Sequence, residues 1–190
     1  MTSNEMAAWV AAFGTILSAV VALGVAIVAF LINIQKDRQG NKYNTIQYIR
    51  DQASNPILIG MFEQFRQARR TLRNGHIGSF GMDQVGEREI SYEGRLILVD
   101  DVIKKLFNYY EVTAIGIKDG GLDENIIKDW WRTSYVLDFI DFAIYVYQRR
   151  LRDDAGRLFI NYEELALRWA TEDEARLIED AQAKARSWWR

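Results

Sequence analysis

The chain has 190 residues, a formal net charge of −2, one histidine, one proline and no cysteine. The absence of cysteine excludes disulfides, thiol nucleophiles and thiolate metal sites. Histidine is the commonest acid–base catalyst and metal ligand in proteins, and this chain has only one. Charge is uneven, with eight basic against three acidic residues in 36–80 and sixteen against twenty-two in 81–190. Because the acidic distal part would repel phosphates, no nucleic-acid partner is predicted. The scarcity of catalytic and metal-ligating side chains predicts a non-enzymatic protein without a cofactor or metal ion.

An apolar segment without Asp, Glu, Lys or Arg runs from residue 6 to residue 35. About 26 of these residues would form a helix roughly 39 Å long, whereas the hydrocarbon core of a bilayer is about 30 Å thick. A cleaved signal peptide needs a basic leader and a shorter apolar stretch, but residues 1–5 carry only Glu5 as a charge. The segment is therefore predicted to be an uncleaved transmembrane helix.

Basic residues follow this segment, and none precedes it. The nearest are Lys36, Arg38, Lys42 and Arg50, and such residues remain on the cytoplasmic side of a span. The predicted organisation is therefore a short extracytoplasmic N-terminus at 1–5, a transmembrane helix at 6–35, a basic juxtamembrane segment at 36–56 and a cytoplasmic helical domain at 57–190.

Small or short polar residues recur along the predicted span at alternating spacings of four and three. They are Ala8, Ala12, Thr15, Ala19, Ala22, Ala26 and Ala29. In lipid, helices associate through close backbone contact at small side chains. This seam predicts self-association or docking against another membrane protein; the alternative is that alanine is common in spans and the register arose by chance.

Pro56 predicts the end of the first helical segment, and apolar periodicity predicts a second helix up to residue 73. Arginines share the side of this helix opposite its apolar face: Arg66, Arg69, Arg70 and Arg73. Together with Lys36, Arg38 and Lys42, this stripe is a candidate contact for anionic lipid headgroups, or for a phosphate. The alternative is a solvated face paired with acidic neighbours.

Residues 74–94 contain five glycines and are predicted to form the longest loop, with room for a short turn. Within it, GHIGSFG, which includes His76, superficially resembles a phosphate-binding loop. Such a loop requires a preceding strand and a helix immediately after it, and the sequence indicates neither. A structural loop is therefore predicted.

Two strong helices follow, over 95–118 and from Asp123 to about Leu151. Gly120 and Gly121 end the first helix, and Asp123 is the predicted N-cap of the second. The pair is predicted to form an antiparallel hairpin at the centre of the domain. For Glu111, a salt bridge to Arg149 or Arg150 is predicted rather than acid catalysis, because no second catalytic group is visible.

The hairpin sequence LFNYYEVTAIGIKDGGLDENIIKDWW, followed by YQRR, resembles a family of small bacterial and phage membrane-anchored proteins known as a domain of unknown function. The matching positions are Phe107, Tyr110, Glu111, Gly121, Asp123 and Arg150. The resemblance implies one N-terminal span, a basic stretch and two helices joined by a Gly-x-Asp turn, located in a bacterial inner membrane. It implies no particular activity.

A capping box of Thr171 and Glu174 predicts a final helix to the end of the chain. Its face of Ala175, Ile178, Ala181 and Ala185 is predicted to pack against the domain. Trp188 and Trp189 form an aromatic end that is predicted to dock on protein rather than at the lipid interface.

These features predict an all-α fold with a single N-terminal transmembrane helix and a cytoplasmic helical bundle built around the antiparallel hairpin. The predicted function is a membrane-anchored, non-enzymatic interaction protein that self-associates or is an accessory subunit of an inner-membrane complex. Its predicted partners are the lipid bilayer and a second copy or another membrane protein. The alternative is an oligomeric membrane-perturbing effector or pore, for example in phage exclusion.

Overall fold

The computed structural model describes the backbone of residues 3–73 and 79–188 and the side chains of residues 23–73 and 79–188. The elements in chain order are α1 (Ser3–Ser54), α2 (Pro56–Arg73), α3 (Met82–Val85), β1 (Glu89–Tyr92), β2 (Arg95–Leu98), α4 (Val99–Lys118), α5 (Glu124–Arg152), α6 (Ile160–Trp169) and α7 (Glu172–Trp188). The chain is mostly helical, as predicted. It separates into two compact units, 1–43 and 44–190, and the boundary falls within the segment predicted to be juxtamembrane.

The predicted transmembrane helix over 6–35 is wrong, and with it the single-pass fold class. In the part of the chain that the structure describes, no helix is long and apolar enough to cross a membrane. Helix α1 does not end at residue 35 but continues to Ser54, through a charged stretch that begins with Lys36, Asp37 and Arg38.

The corner between α1 and α2 follows from Pro56. Proline lacks a backbone N–H and disfavours helical geometry in the residue before it, so α1 ends at Ser54, as predicted. The same proline suits the first position of a new helix. The Asn55 side-chain Oδ1 accepts a hydrogen bond from the Ile57 N–H at 2.9 Å, which satisfies one of the free donors of the first turn of α2.

A β-hairpin lies where the sequence predicted a loop and the start of a helix. Strands β1 and β2 pair antiparallel, with Tyr92 opposite Arg95. The two residues between them, Glu93 and Gly94, have φ of 48° and 76°, and a two-residue hairpin turn of type I′ requires positive φ at both positions. Helix α4 therefore begins at Val99 rather than at residue 95.

The core of unit 44–190 is aromatic. Helices α4 and α5 are joined by the predicted turn, where Gly120 has φ of 74° and the Asp123 carboxylate accepts from the N–H groups of Asn125 and Ile126. Their facing sides meet through rings, with the centroids of Tyr110 and Tyr135 4.1 Å apart. Fully buried rings fill the space between α4, α5 and α6: Phe107, Tyr110, Tyr135, Phe139, Phe142 and Tyr162.

Glu111 has a structural role, but its partner is not the predicted arginine. Its carboxylate accepts hydrogen bonds from the Tyr162 N–H at 2.7 Å and from the Asn161 side-chain amide at 2.7 Å. The N-cap of α6 is Phe159, which offers no side-chain acceptor. Glu111 therefore supplies from α4 the acceptor that the start of α6 lacks.

Helix α7 forms as the sequence predicts. The Thr171 N–H donates to Glu174 at 2.7 Å and the Glu174 N–H donates to the Thr171 hydroxyl at 3.4 Å, so the capping box is present. Ile178, Ala181 and Ala185 are buried, and the helix packs mainly on α5. Trp189 lies outside the described residues.

Candidate functional site

The most distinctive surface of unit 44–190 surrounds the first turn of α2. Because Asn55 and Pro56 break the chain there, this turn projects beyond the core-facing part of α2, and Ile57 is 81% exposed. A groove lies on each side of the turn. We call the two grooves together the corner surface.

The first groove lies between α2, the β-hairpin and α4, and has a volume of about 640 Å³. The hairpin is held against α2 because the Gln67 side chain donates to the Ser91 carbonyl at 2.8 Å and the Tyr92 hydroxyl donates to Glu63 at 3.0 Å. That bond to Glu63 raises the pKa of Tyr92 above its ordinary value. The groove is lined by Pro56, Ile57, Gly60, Met61, Gln64, Tyr92, Glu93, Lys105 and Asn108.

The second groove lies between the end of α1, the start of α2 and α4, and has a volume of about 380 Å³. We call it the Gln52 groove; its lining residues are Tyr48, Asp51, Gln52, Asn55, Ile57, Leu58, Tyr109 and Val112. At its floor, the Tyr48 hydroxyl lies 2.6 Å from the Thr113 hydroxyl and donates to the Tyr109 hydroxyl at 3.4 Å. Burial raises the pKa of Tyr109 well above its ordinary value, so the Tyr109 hydroxyl remains neutral.

Apolar side chains dominate what the corner surface presents to solvent. Val112 on α4 is 65% exposed and Ile57 on α2 is 81% exposed, and both line the Gln52 groove. Isolated exposed apolar residues are common on protein surfaces, whereas apolar residues grouped at grooves mark contact sites. The corner surface is therefore suited to binding another apolar surface.

The predicted arginine stripe divides into two pairs with different surroundings. Arg69 pairs with Asp138 and Asp141 of α5, and Arg73 pairs with Asp141 at 2.7 Å. Arg66 and Arg70 are exposed and have no ion pair among the described residues. The alternative that these arginines pair with acidic neighbours is therefore confirmed for Arg69 and Arg73. Arg66 and Arg70 are accessible to a ligand.

The structure places the other predicted site residues as follows. Lys36, Arg38 and Lys42 are exposed on α1. Of the predicted association seam, Ala26 and Ala29 are exposed, and the side chains of Ala8, Ala12, Thr15, Ala19 and Ala22 lie outside the described residues. His76 also lies outside them.

A third cavity, separate from the corner surface, has a volume of about 430 Å³ and lies between α2 and α5 next to Asp138. The Asp138 carboxylate accepts from Arg69 Nη1 at 2.7 Å and from the Tyr110 hydroxyl at 3.0 Å. Burial raises the pKa of Asp138 to about 6, against the opposing effects of Arg69 and Tyr110. Because both carboxylate oxygens are bound by protein groups, Asp138 connects α2, α4 and α5 structurally. Among the described side chains, no group of three His, Cys, Asp or Glu residues is placed to hold a metal ion.

Sequence reasoning missed Gln52, Ile57, Val112 and Asp138. A signal for Asp138 was present, because Asp138 and Asp141 are three residues apart on α5 and Arg69 and Arg73 are four apart on α2. Both spacings place two charges on one helical face. No comparable signal identifies Gln52, because its burial depends on how α1, α2 and α4 pack.

The fold and its grooves define a mostly helical domain with one β-hairpin and an exposed contact surface. The chain belongs to the family described as Domain of unknown function (DUF4760), whose model matches residues 16–169. The predicted resemblance to a domain of unknown function is thereby confirmed, and the match ends at the last residue of α6. No curated protein and no solved structure matches the chain significantly.

Proposed function

We propose that unit 44–190 is a non-enzymatic interaction domain, and that the corner surface is where it contacts a second copy of the chain or another protein subunit. One observation carries this proposal: Ile57 and Val112 are strongly exposed at the rims of two grooves. Burying such side chains against a partner contributes about 25 cal/mol for each Å² of apolar surface removed from water.

The test is the mass of the gently purified native particle, measured by light scattering, with its components identified by mass spectrometry. We expect the wild type to form a defined homo-oligomer or a mixed particle, and Ile57→Asp to dissociate it. Leu177→Asp is the matched control, because Leu177 is 53% exposed on α7, away from the corner surface. A monomer at all concentrations without a second component, or equal effects of both variants, would refute the proposal.

We also propose that α1 associates with a lipid bilayer, in the cell the bacterial inner membrane. Two features of unit 1–43 support this: the exposed apolar side chains between Leu23 and Ile32, and the exposed Lys36, Arg38 and Lys42 that follow them. An apolar stretch binds at the headgroup boundary, and basic residues beside it add about 1 kcal/mol each on an anionic leaflet.

Co-sedimentation with vesicles tests this association. With vesicles containing 30 mol% phosphatidylglycerol, we expect Lys36→Glu/Arg38→Glu to weaken binding by about tenfold or more. Lys184→Glu/Arg186→Glu, which changes the same charges on α7, should leave binding unchanged. Equal binding of the two double variants would show that these basic residues do not contact lipid.

A further inference from the structure

The Gln52 side chain is buried without a partner. Gln52 is only 7% exposed, and neither its Oε1 nor its Nε2 forms a hydrogen bond with any described residue. More than nine in ten buried polar groups in native proteins are hydrogen-bonded, so an orphaned amide requires an explanation. Gln52 lines a groove that is open to solvent, and a bound ligand would satisfy it.

The chemistry of the amide defines the group it would bind. A primary amide carries a donor and an acceptor side by side. In an extended segment the N–H and C=O of one residue lie on the same edge and present the complementary pair. The hydroxyls of Tyr48 and Tyr109 are already engaged at the groove floor. The walls formed by Ile57, Leu58 and Val112 are apolar. The groove therefore combines a site for the main-chain N–H and C=O of one residue with a site for an apolar side chain.

The negative charge of Asp51 at the rim of the Gln52 groove adds a preference for a basic group in the ligand. Asp51 is exposed, lines the same groove and has no ion pair among the described residues. An unpaired carboxylate at a rim favours a partner with a basic side chain. A volume of about 380 Å³ lies near the lower end of the range for ligand sites, about 300–1,000 Å³, and favours a short segment over a large cofactor.

We propose that the Gln52 groove binds an extended segment of a partner protein in which an apolar residue is followed by a basic residue. The main-chain N–H and C=O of the apolar residue pair with the Gln52 amide. The apolar side chain packs on Ile57, Leu58 and Val112, and the basic side chain pairs with Asp51. This proposal rests on the proposed interaction function and specifies what one groove of the corner surface recognises.

The experiment uses the full chain labelled with ¹⁵N at glutamine, titrated with the blocked dipeptide N-acetyl-Leu-Lys-N-methylamide. We expect the Gln52 side-chain NH₂ resonances to shift on binding, and Gln52→Leu to weaken the affinity at least tenfold. Gln52→Leu should also raise the melting temperature, because it replaces an unsatisfied buried amide with an apolar group of similar size. The dipeptide N-acetyl-Leu-Glu-N-methylamide should bind several-fold more weakly, and Asp51→Asn should remove this preference.

Four results would overturn the proposal. Equal affinity of wild type and Gln52→Leu would mean that the amide is not recognised. A lower melting temperature of Gln52→Leu would mean that the amide already has a partner within the protein. Absence of dipeptide binding together with loss of self-association in Gln52→Leu would assign the groove to a second copy of this chain. A failure of dipeptide binding while Ile57→Asp still dissociates the native particle would refute this inference and leave the interaction function standing.

Discussion

The α5–α6–α7 side of the domain and the corner surface differ in how they treat buried polar groups. On the first side, Glu163 accepts hydrogen bonds from Arg150 and from the Tyr147 hydroxyl. Nearby, Arg132 donates to the Trp169 carbonyl at 3.1 Å and pairs with Glu174. At the corner surface, by contrast, the Gln52 amide is buried with no partner among the described residues. On the first side the Tyr135 hydroxyl is also buried without a partner, but the charged groups there hold helices together, whereas the corner surface combines a buried unpaired amide with exposed apolar side chains.

This difference teaches that stability and recognition are divided between the two sides of the domain. Removing one partner of a satisfied buried pair leaves an uncompensated charge and is costly, while changing an exposed side chain usually alters stability by less than about 0.5 kcal/mol. Substitutions of the paired buried groups on the first side should therefore destabilise the fold, and substitutions of exposed side chains on the corner surface should alter binding with little effect on folding.

The largest effect is expected for Arg150→Ala. Its guanidinium pairs with Glu163, which is 8% exposed, and also donates to the Leu158 carbonyl at 2.6 and 2.8 Å. The variant removes both donors to the Leu158 carbonyl and leaves the buried Glu163 carboxylate with the Tyr147 hydroxyl as its remaining donor and without a charge partner, and we expect the free energy of unfolding to fall by about 3–5 kcal/mol. Urea denaturation followed by circular dichroism at pH 7 measures the change.

Arg176→Ala is the matched control for this measurement. Arg176 pairs with Glu172 at the surface of α7, where both side chains are mostly exposed, and such pairs contribute about 0–1 kcal/mol. If Arg150→Ala cost no more than Arg176→Ala, the α5–α6 pair would have no special structural role and the contrast between the two sides would fail.

The second-largest effect is expected on the pH dependence of the unfolding free energy and comes from Asp138, which connects the two sides through α2, α4 and α5. Burial raises its pKa from 3.8 to about 6, so between these pH values the folded protein binds more protons than the unfolded chain. The free energy of unfolding therefore falls as pH rises through this window, by about 3 kcal/mol from this group. The groups facing the carboxylate are Arg69, Arg73, Tyr110 and Asp141.

Asp138→Asn isolates this contribution, because asparagine does not titrate. We expect the difference in unfolding free energy, wild type minus variant, to decrease by about 2–3 kcal/mol between pH 4 and pH 7 and to be constant above pH 7. Denaturant unfolding at several pH values gives the difference. A difference that stays flat or increases over this range would show that the pKa of Asp138 is not raised in the folded protein.

The sequence predicted the parts of the fold that depend on local signals. Pro56, the Gly120–Asp123 turn and the Thr171–Glu174 capping box each mark a helix end through residues a few positions apart, and all three ends lie where predicted. The β-hairpin was missed because each strand has only four residues and the turn places a glutamate, Glu93, at positive φ. The transmembrane prediction relied on a charge-free composition, and among the described residues no helix is long and apolar enough to cross a membrane.

The candidate site was less predictable, because its residues are far apart in the sequence. Arg69 and Asp138 are 69 positions apart, and the Gln52 groove brings together residues from α1, α2 and α4. Periodicity predicts which face of one helix is buried, but not which faces of three helices leave a gap. Apolar periodicity along α5 places Trp130 near the face of buried residues such as Ile127, but Trp130 is exposed.

The smallest change in the free energy of unfolding is expected for a substitution on the corner surface. Two valines of one helix allow the corner surface and the core to be compared directly. Val112 and Val102 both belong to α4, but Val112 is 65% exposed and Val102 is fully buried. We expect Val112→Ser to change the free energy of unfolding by less than about 0.5 kcal/mol and Val102→Ser to reduce it by about 2 kcal/mol or more, because it removes two buried methyl groups and buries a hydroxyl. The same urea titration compares them. Equal losses in the two variants would place Val112 in the core, and the corner surface would then stabilise the fold rather than receive a partner.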